Sequence, residues 1–346
     1  MFKHLVIFYF IVFLIGGCIA SNFTTNHSQH STDDSLPVWP PPPQKPRIQF
    51  VRSISSSQDI DMKKSWFKKT IDYVFGHEES EEKMLRPYAV CADSEKIYVT
   101  DPGLFLIHVF DLQEKRYFQI KKVKDLDLIS PIGIAVDKNG EIFFSDSVLK
   151  RVFVLDKEGK YLREIGSTDL FLRPTGIAID EDRIYVTDTH GHQILVFSKK
   201  NGNLLFRIGR NGTRSGEFNY PTHIFISNEG LIYVTDSLNF RIQIFDRDGN
   251  FVTSFGKLGD GSGNFSKPKG IAVDSAGHIY VADSHFDNVQ IFDRDGNLLL
   301  TFGKTGRGQG EMVLPAGIFI DRQNRIYVAD SFNNRIQLFQ YLGIEK

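Results

Sequence analysis

Apolar and polar positions alternate along this chain in short bursts, and one burst returns six times. It reads IYVTD ending at Asp101, IFFSD at Asp146, IYVTD at Asp188 and at Asp236, then IYVAD at Asp283 and at Asp330. Successive closing Asp residues stand 45, 42, 48, 47 and 47 residues apart. Aromatic and β-branched runs of this length, bounded by turn residues, predict strands. Around these runs a common order recurs with variations: Pro-x-Gly-Ile-Ala-Val-Asp, a turn, the run itself, then Arg-Ile-Gln-Ile-Phe-Asp, a second turn and a strand ending Phe-Gly. Four short strands cannot bury both faces without neighbours, so a period in the forties predicts an all-β, six-bladed β-propeller.

Each part of the repeat has a physical task. In the stretch from Gly270 to Asp274 a small residue permits close approach near the crowded axis, and the β-branched ones suit a pleated strand. The turns beginning at Asp246, Asp274 and Asp293 pair a side chain that bonds the local backbone with a Gly that accepts positive φ. Recurrence of the closing Asp in every blade predicts the same kind of structural bonding, not acid–base or metal chemistry. The Gly-rich stretch 306–310 lacks the following helix of a phosphate-binding loop and is expected to be a flexible link between blades.

With these motifs in hand, the chain resembles the NHL-repeat family of six-bladed propellers over residues 86–342, most closely in the fifth repeat, KPKGIAVDSAGHIYVADSHFDNVQIFDRDGNLLLTFG. The first repeat departs most, with Asp101-Pro102-Gly103 in place of Asp-Ser. Some members bind single-stranded RNA on one face. Related propellers that cleave amidated-peptide precursors carry zinc-binding His directly after the strand-initiating Pro, where this chain has Tyr88, Ile132, Thr175, Thr222, Lys269 and Ala316. The resemblance therefore implies the fold without the lyase's ligands, and function must be sought in the site.

The last repeat stops after its third strand, so its fourth must come from elsewhere. The stretch from Arg47 to Ile54 is the expected closing strand, which would remove an exposed edge; the rival is 72–76. Between them, Phe67, Ile71 and Val74 share one face of an expected short helix over 61–75. The chain thus divides into 1–18, a signal segment; 19–46, a proline-rich disordered tether; 47–85, closing strand and helix; and 86–346, the propeller.

Lys3 and His4 precede an apolar run from Leu5 to Ile15, followed by Gly16, Gly17 and Cys18. This is the order of an export signal, and 14–18 resembles a bacterial lipoprotein cleavage box. The expectation is a protein exported and lipid-anchored through Cys18 to the bacterial cell envelope, at the outer membrane or periplasmic face. Acylation there would leave Cys91 without a disulfide partner. Cys91 aligns with Ala135, Ala178 and Ala272 and is expected to be a small buried residue.

A formal charge of −1 leaves only local patches as recognition features. Together with export, this predicts no nucleic-acid partner. Function is sought where equivalent positions differ between blades. The loops after the repeated Asp and the links between blades should share one face, carrying Arg210, Arg214, Leu238, Phe240, Lys257, Lys269, Phe286, Lys304, Arg307 and Phe332. That face predicts a non-catalytic platform for a protein partner, with a monomeric chain and no cofactor. Two other readings stand beside it. His190, His223 and His285, with His192 nearby, could hold zinc with an open position for water in a lyase or hydrolase. Phe240, Phe286 and Phe332 with the channel mouth could bind a carbohydrate or small ligand.

Overall fold

The strand pattern closes into six sheets set around an axis. The computed structural model describes residues 36–60 and 83–343. Blade four is representative: Pro221–Ile226, Ile232–Asp236, Arg241–Phe245 and Phe251–Phe255 pair antiparallel in that order, from the axis outward. Its two middle strands are buried almost throughout, whereas the outer one is largely exposed. This explains why the apolar runs are continuous only in the middle of each repeat. Blades one, two, three and five repeat the order, with inner strands Ala89–Ala92, Pro131–Val136, Pro174–Ile179 and Pro268–Val273. The cores lie between sheets: Phe143 and Val152 of blade two pack with Ile177, Val186 and Phe197 of blade three.

Blade six supplies Pro315–Ile320, Arg325–Asp330 and Arg335–Tyr341, and the ring closes as the sequence predicts. Strand Ile48–Ile54 pairs antiparallel with Arg335–Tyr341, from Ile48 opposite Tyr341 to Ile54 opposite Ile336. One expectation needs correction. The expected tether over 19–46 does not stay free of the propeller, because Val38–Trp39 adds a fifth strand beside Ile48–Ile54. Trp39 places its ring 5.9 Å from Phe302 and 5.8 Å from Phe339. The Arg47 amide donates to the Trp39 carbonyl at 2.7 Å. A single Trp in a proline-rich stretch supplies enough apolar area to dock it.

Cys18 and its signal segment, the expected helix over 61–75 and the rival closing segment 72–76 lie outside the described residues. Among the described residues no helix is long and apolar enough to cross a membrane. Cys91 is buried in the inner strand of blade one, and burial, then the charge of Asp93, pushes its thiol well up.

The links 209–220, 256–267 and 303–314 fold back on themselves. Amides of Phe218, Phe265 and Met312 donate to the carbonyls of Arg210, Lys257 and Lys304 at 2.8, 2.9 and 2.8 Å, and all three side chains are buried. The Gly310 amide also donates to Gln337 Oε1 at 2.9 Å. The stretch 306–310, expected to be a flexible link, is therefore pinned at both ends.

Candidate functional site

The repeated Asp residues assemble the face on which the candidate site lies. Each is fully buried. Asp283 accepts the amides of Ser266 and Lys267 from the incoming link and of His285 and Phe286 from its own loop. Asp146 does the same for Ile129, Ser130, Val148 and Leu149. Each carboxylate thus ties the loop after the second strand to the link from the previous blade, so these segments share one end of the propeller. At Asp101 burial opposes the charge, but hydrogen bonds from His108 and from the Leu85 and Arg86 amides outweigh it and hold the carboxyl below its usual range. In blades four and six burial wins, and Asp236 and Asp330 are pushed up.

Upon this uniform frame the projecting side chains differ. Phe105, Val148, Leu238 and Phe332 stand exposed on the loops, the last three at the second position after the repeated Asp, with Phe332 54% exposed. Leu85, Ile129, Leu172, Leu258 and Leu314 are exposed on the links. The loop face therefore carries exposed apolar side chains around its whole circumference. Exposed cations stand among them, including Lys257, Lys267 and Arg307. Arg210 and Arg214 both pair with Glu217 at 3.0 Å, and Lys304 pairs with Glu311 at 3.3 Å. One carboxylate against two guanidiniums leaves a net positive charge in the third link.

Three expected rim residues are not exposed on the rim. Phe240 takes a left-handed conformation, φ 54°, and packs against the core between blades four and five. Phe286 is half-buried beside His285. The aromatic trio with Phe332 is therefore no shared exposed platform. Lys269 leaves the rim altogether, because it follows the strand-initiating Pro268 and enters the channel.

That channel end is the most irregular part of the inner ring. At the third position of the inner strands a Gly is usual, since a Cβ at Gly270 would lie 2.5 Å from the Ala316 carbonyl oxygen. Blade four carries His223 there. Its ring stacks on Tyr88 of blade one, centroids 5.5 Å apart and planes 18° from parallel. Blades one and four are opposite in a six-membered ring, so the pair meets across the axis. Lys269 Nζ of blade five lies 5.2 Å from the centre of the Tyr88 ring. The sequence reading missed Tyr88 as a site residue, although its bulk after Pro87, where blades three, four and six have Thr175, Thr222 and Ala316, is a visible signal.

The three histidines proposed for zinc are not brought together. His190 is exposed and approaches Arg173 Nη1 at 3.5 Å, while His285 is exposed and bonded to Ser266 Oγ at 2.7 Å. His223 is buried in the channel beside the ammonium of Lys269, which repels a cation. Among the described residues no group of three His, Cys, Asp or Glu side chains could hold a metal ion.

The opposite end of the channel opens beside two cavities. These adjoining cavities of about 590 and 630 Å³ share Val136, Asp137, Lys138 and Arg322, on the turns between first and second strands. Nothing in the sequence marked them, because the same turn chemistry recurs in each blade.

Comparisons with known proteins agree with this architecture. Residues 169–231, 227–284 and 275–344 match the family described as a 6-bladed beta-propeller, together about half of the chain. The chain is 32% identical over 135 residues to protein brain tumor of Drosophila melanogaster, covering 37% of this chain and 13% of that protein. It is 29% identical over 142 residues to the probable peptidyl-alpha-hydroxyglycine alpha-amidating lyase pgal-1 of Caenorhabditis elegans, covering 33% and 40%. The chain thus spans well under two thirds of either relative. In fold it is similar to an auxiliary nutrient binding protein from Bacteroides ovatus, with a TM-score of 0.57, 14% identity, and 74% and 69% of the two chains covered. With this match over half its length and six NHL-type repeats closed into a ring, the chain belongs to the six-bladed β-propeller family.

Proposed function

We propose that this chain is a non-catalytic interaction propeller that takes a protein partner on its loop face. The observation that carries the reading is the circumferential set of exposed apolar side chains on that face, from Phe105 through Leu238 to Phe332, interspersed with cations. Such a surface favours an extended or acidic partner that covers several blades. Export and acylation at Cys18 would hold the monomeric propeller at the cell envelope, with no nucleic-acid partner and no cofactor needed.

The test is crosslinking of the tagged, full-length protein in its native membranes, beside Cys18→Ser and a Leu238→Ser, Phe332→Ser double variant. A stoichiometric protein retained by wild type and lost in the double variant supports the reading. Equal capture by both would overturn it.

A second reading, a small-ligand binder, is favoured by the cavities of about 590 and 630 Å³, a size suited to small molecules, and by the likeness to a protein named for nutrient binding. Similarity to a named lyase leaves catalysis a weaker alternative, since the channel positions after the strand-initiating prolines hold Tyr88, Thr222 and Lys269.

A further inference from the structure

Among the described residues, the channel end behind the loop face holds an ammonium with no carboxylate partner and a buried ring nitrogen with no hydrogen-bond partner. Lys269 is half-buried, and among the described residues its ammonium lies against the Tyr88 ring and is repelled by Lys267, with no carboxylate beside it. Even partial burial of a charge without a counter-charge is costly. His223 is 9% exposed, and its Nε2 has no hydrogen-bond partner.

The bonds around His223 fix which ring nitrogen carries the proton. Ser237 Oγ donates to the Pro268 carbonyl at 3.2 Å. Thr222 Oγ1, 2.7 Å from Ser237 Oγ, must then donate to it. With its own proton so used, Thr222 Oγ1 accepts from His223 Nδ1–H at 3.1 Å. Neutral imidazole carries one N–H, so Nε2 is left as a buried lone pair that needs a donor. A cation and a buried acceptor side by side define an unusual ligand: one group that offers a negative oxygen and, next to it, an O–H.

We propose that the loop-face end of the channel, formed by Lys269, His223 and the Tyr88 ring, binds an oxyanion that keeps a proton, the chemistry of a hydrogen phosphate group. Lys269 Nζ pairs with a charged oxygen and the ligand's P–O–H donates to His223 Nε2. Both of these side chains are in the required state near neutrality. Burial, then Lys269, pushes His223 down to about 3, so it stays neutral. Burial, then Lys267, brings Lys269 down to about 8, so it stays charged below that pH. Tyr88, which faces both, is pushed up to about 12 by burial and keeps its proton. The inference stands apart from the partner reading, because binding is measured on the purified chain alone.

The experiment is calorimetric titration of the full chain with inorganic phosphate and with sulfate, at constant ionic strength and about pH 6, where phosphate keeps a hydroxyl and sulfate has none. The expected result is saturable phosphate binding with sulfate weaker by at least about tenfold, the cost of leaving Nε2 unpaired. Lys269→Thr, which installs the residue of blades three and four, should abolish binding. His223→Gly, which installs the Gly of positions 133, 176, 270 and 317, should weaken phosphate and erase the preference over sulfate. Glycerol phosphate separates the sources: tighter binding than inorganic phosphate assigns the group to the end of a larger phosphomonoester, and weaker binding assigns it to the free anion. Equal affinity for phosphate and sulfate, an unchanged Lys269→Thr variant, or no saturable binding by wild type would each overturn the proposal.

Discussion

The two faces of the propeller use the same residue, Asp, to opposite effect. On the turn face, Asp246 and Asp274 fold their own backbones: Asp274 Oδ1 accepts the amides of Ala276 and His278, and Asp246 Oδ1 those of Asp248 and Asn250. Among the described residues each of these carboxylates bonds only within its own turn and the strand that follows it. On the loop face the buried Asp joins two segments from different parts of the chain. Once the backbone is satisfied that way, the side chain two residues later is free of structural demand, and there the blades diverge into Gly103, Val148, His190, Leu238, His285 and Phe332. Uniformity marks the frame; divergence on a fixed frame marks the positions that the frame leaves free.

The sharpest way to break this comparison is to remove a loop-face Asp. Asp330 accepts from the Val313 amide, Asn333, Arg335 and Gln337, and Arg335 is mostly buried. Asp330→Ala should cost about 3–5 kcal/mol, as expected when one member of a buried pair is lost, read by urea unfolding. Asp246→Ala on the exposed turn face should cost visibly less, and equal losses would contradict the distinction. Next comes the docked edge strand: Trp39→Ala should lower stability by roughly 2–3 kcal/mol, below the range for a fully buried Trp because Trp39 is half-buried. An unchanged unfolding midpoint would mean that Val38–Trp39 contributes nothing.

A pH series probes the channel. The His223 imidazole, ordinarily near 6.5, is pushed down to about 3 in the folded chain, because burial and then Lys269 disfavour its charge. As pH falls through this window the unfolded chain takes up a proton that the folded chain refuses, so stability falls. Thermal midpoints should drop more for wild type than for His223→Gly across that window, and parallel curves would show that the ring is not held neutral. The smallest stability effect is expected on the rim: Leu238→Ser with Phe332→Ser should stay within about 0.5 kcal/mol of wild type while abolishing partner capture.

Much of this is legible in the sequence itself. Period and strand chemistry predicted six blades, and the missing fourth strand of the last repeat pointed to the stretch around Ile48–Ile54, because an unpaired edge is a physical deficit visible in sequence. The structural role of the repeated Asp was readable for the same reason. Trp39 was not, since two apolar residues carry no periodicity. The inward turn of Phe240 depends on a left-handed backbone that its identity does not advertise. The meeting of Tyr88, His223 and Lys269 joins three blades through ring closure, a relation that a linear repeat shows only as three misfits at small-residue positions.

The strand that closes the ring also sets its timetable. Ile48–Ile54 lies roughly 280 residues ahead of its partner Arg335–Tyr341, so at ordinary synthesis rates it waits on the order of tens of seconds for a mate. During that interval a β-strand with apolar Ile48, Phe50 and Ile54 has its pairing edge open. A neighbouring nascent copy offers the same partner strand, and two chains that exchange these segments would each complete the other's sixth blade. Whatever handles this protein during its birth must therefore keep copies apart until the final blade is made.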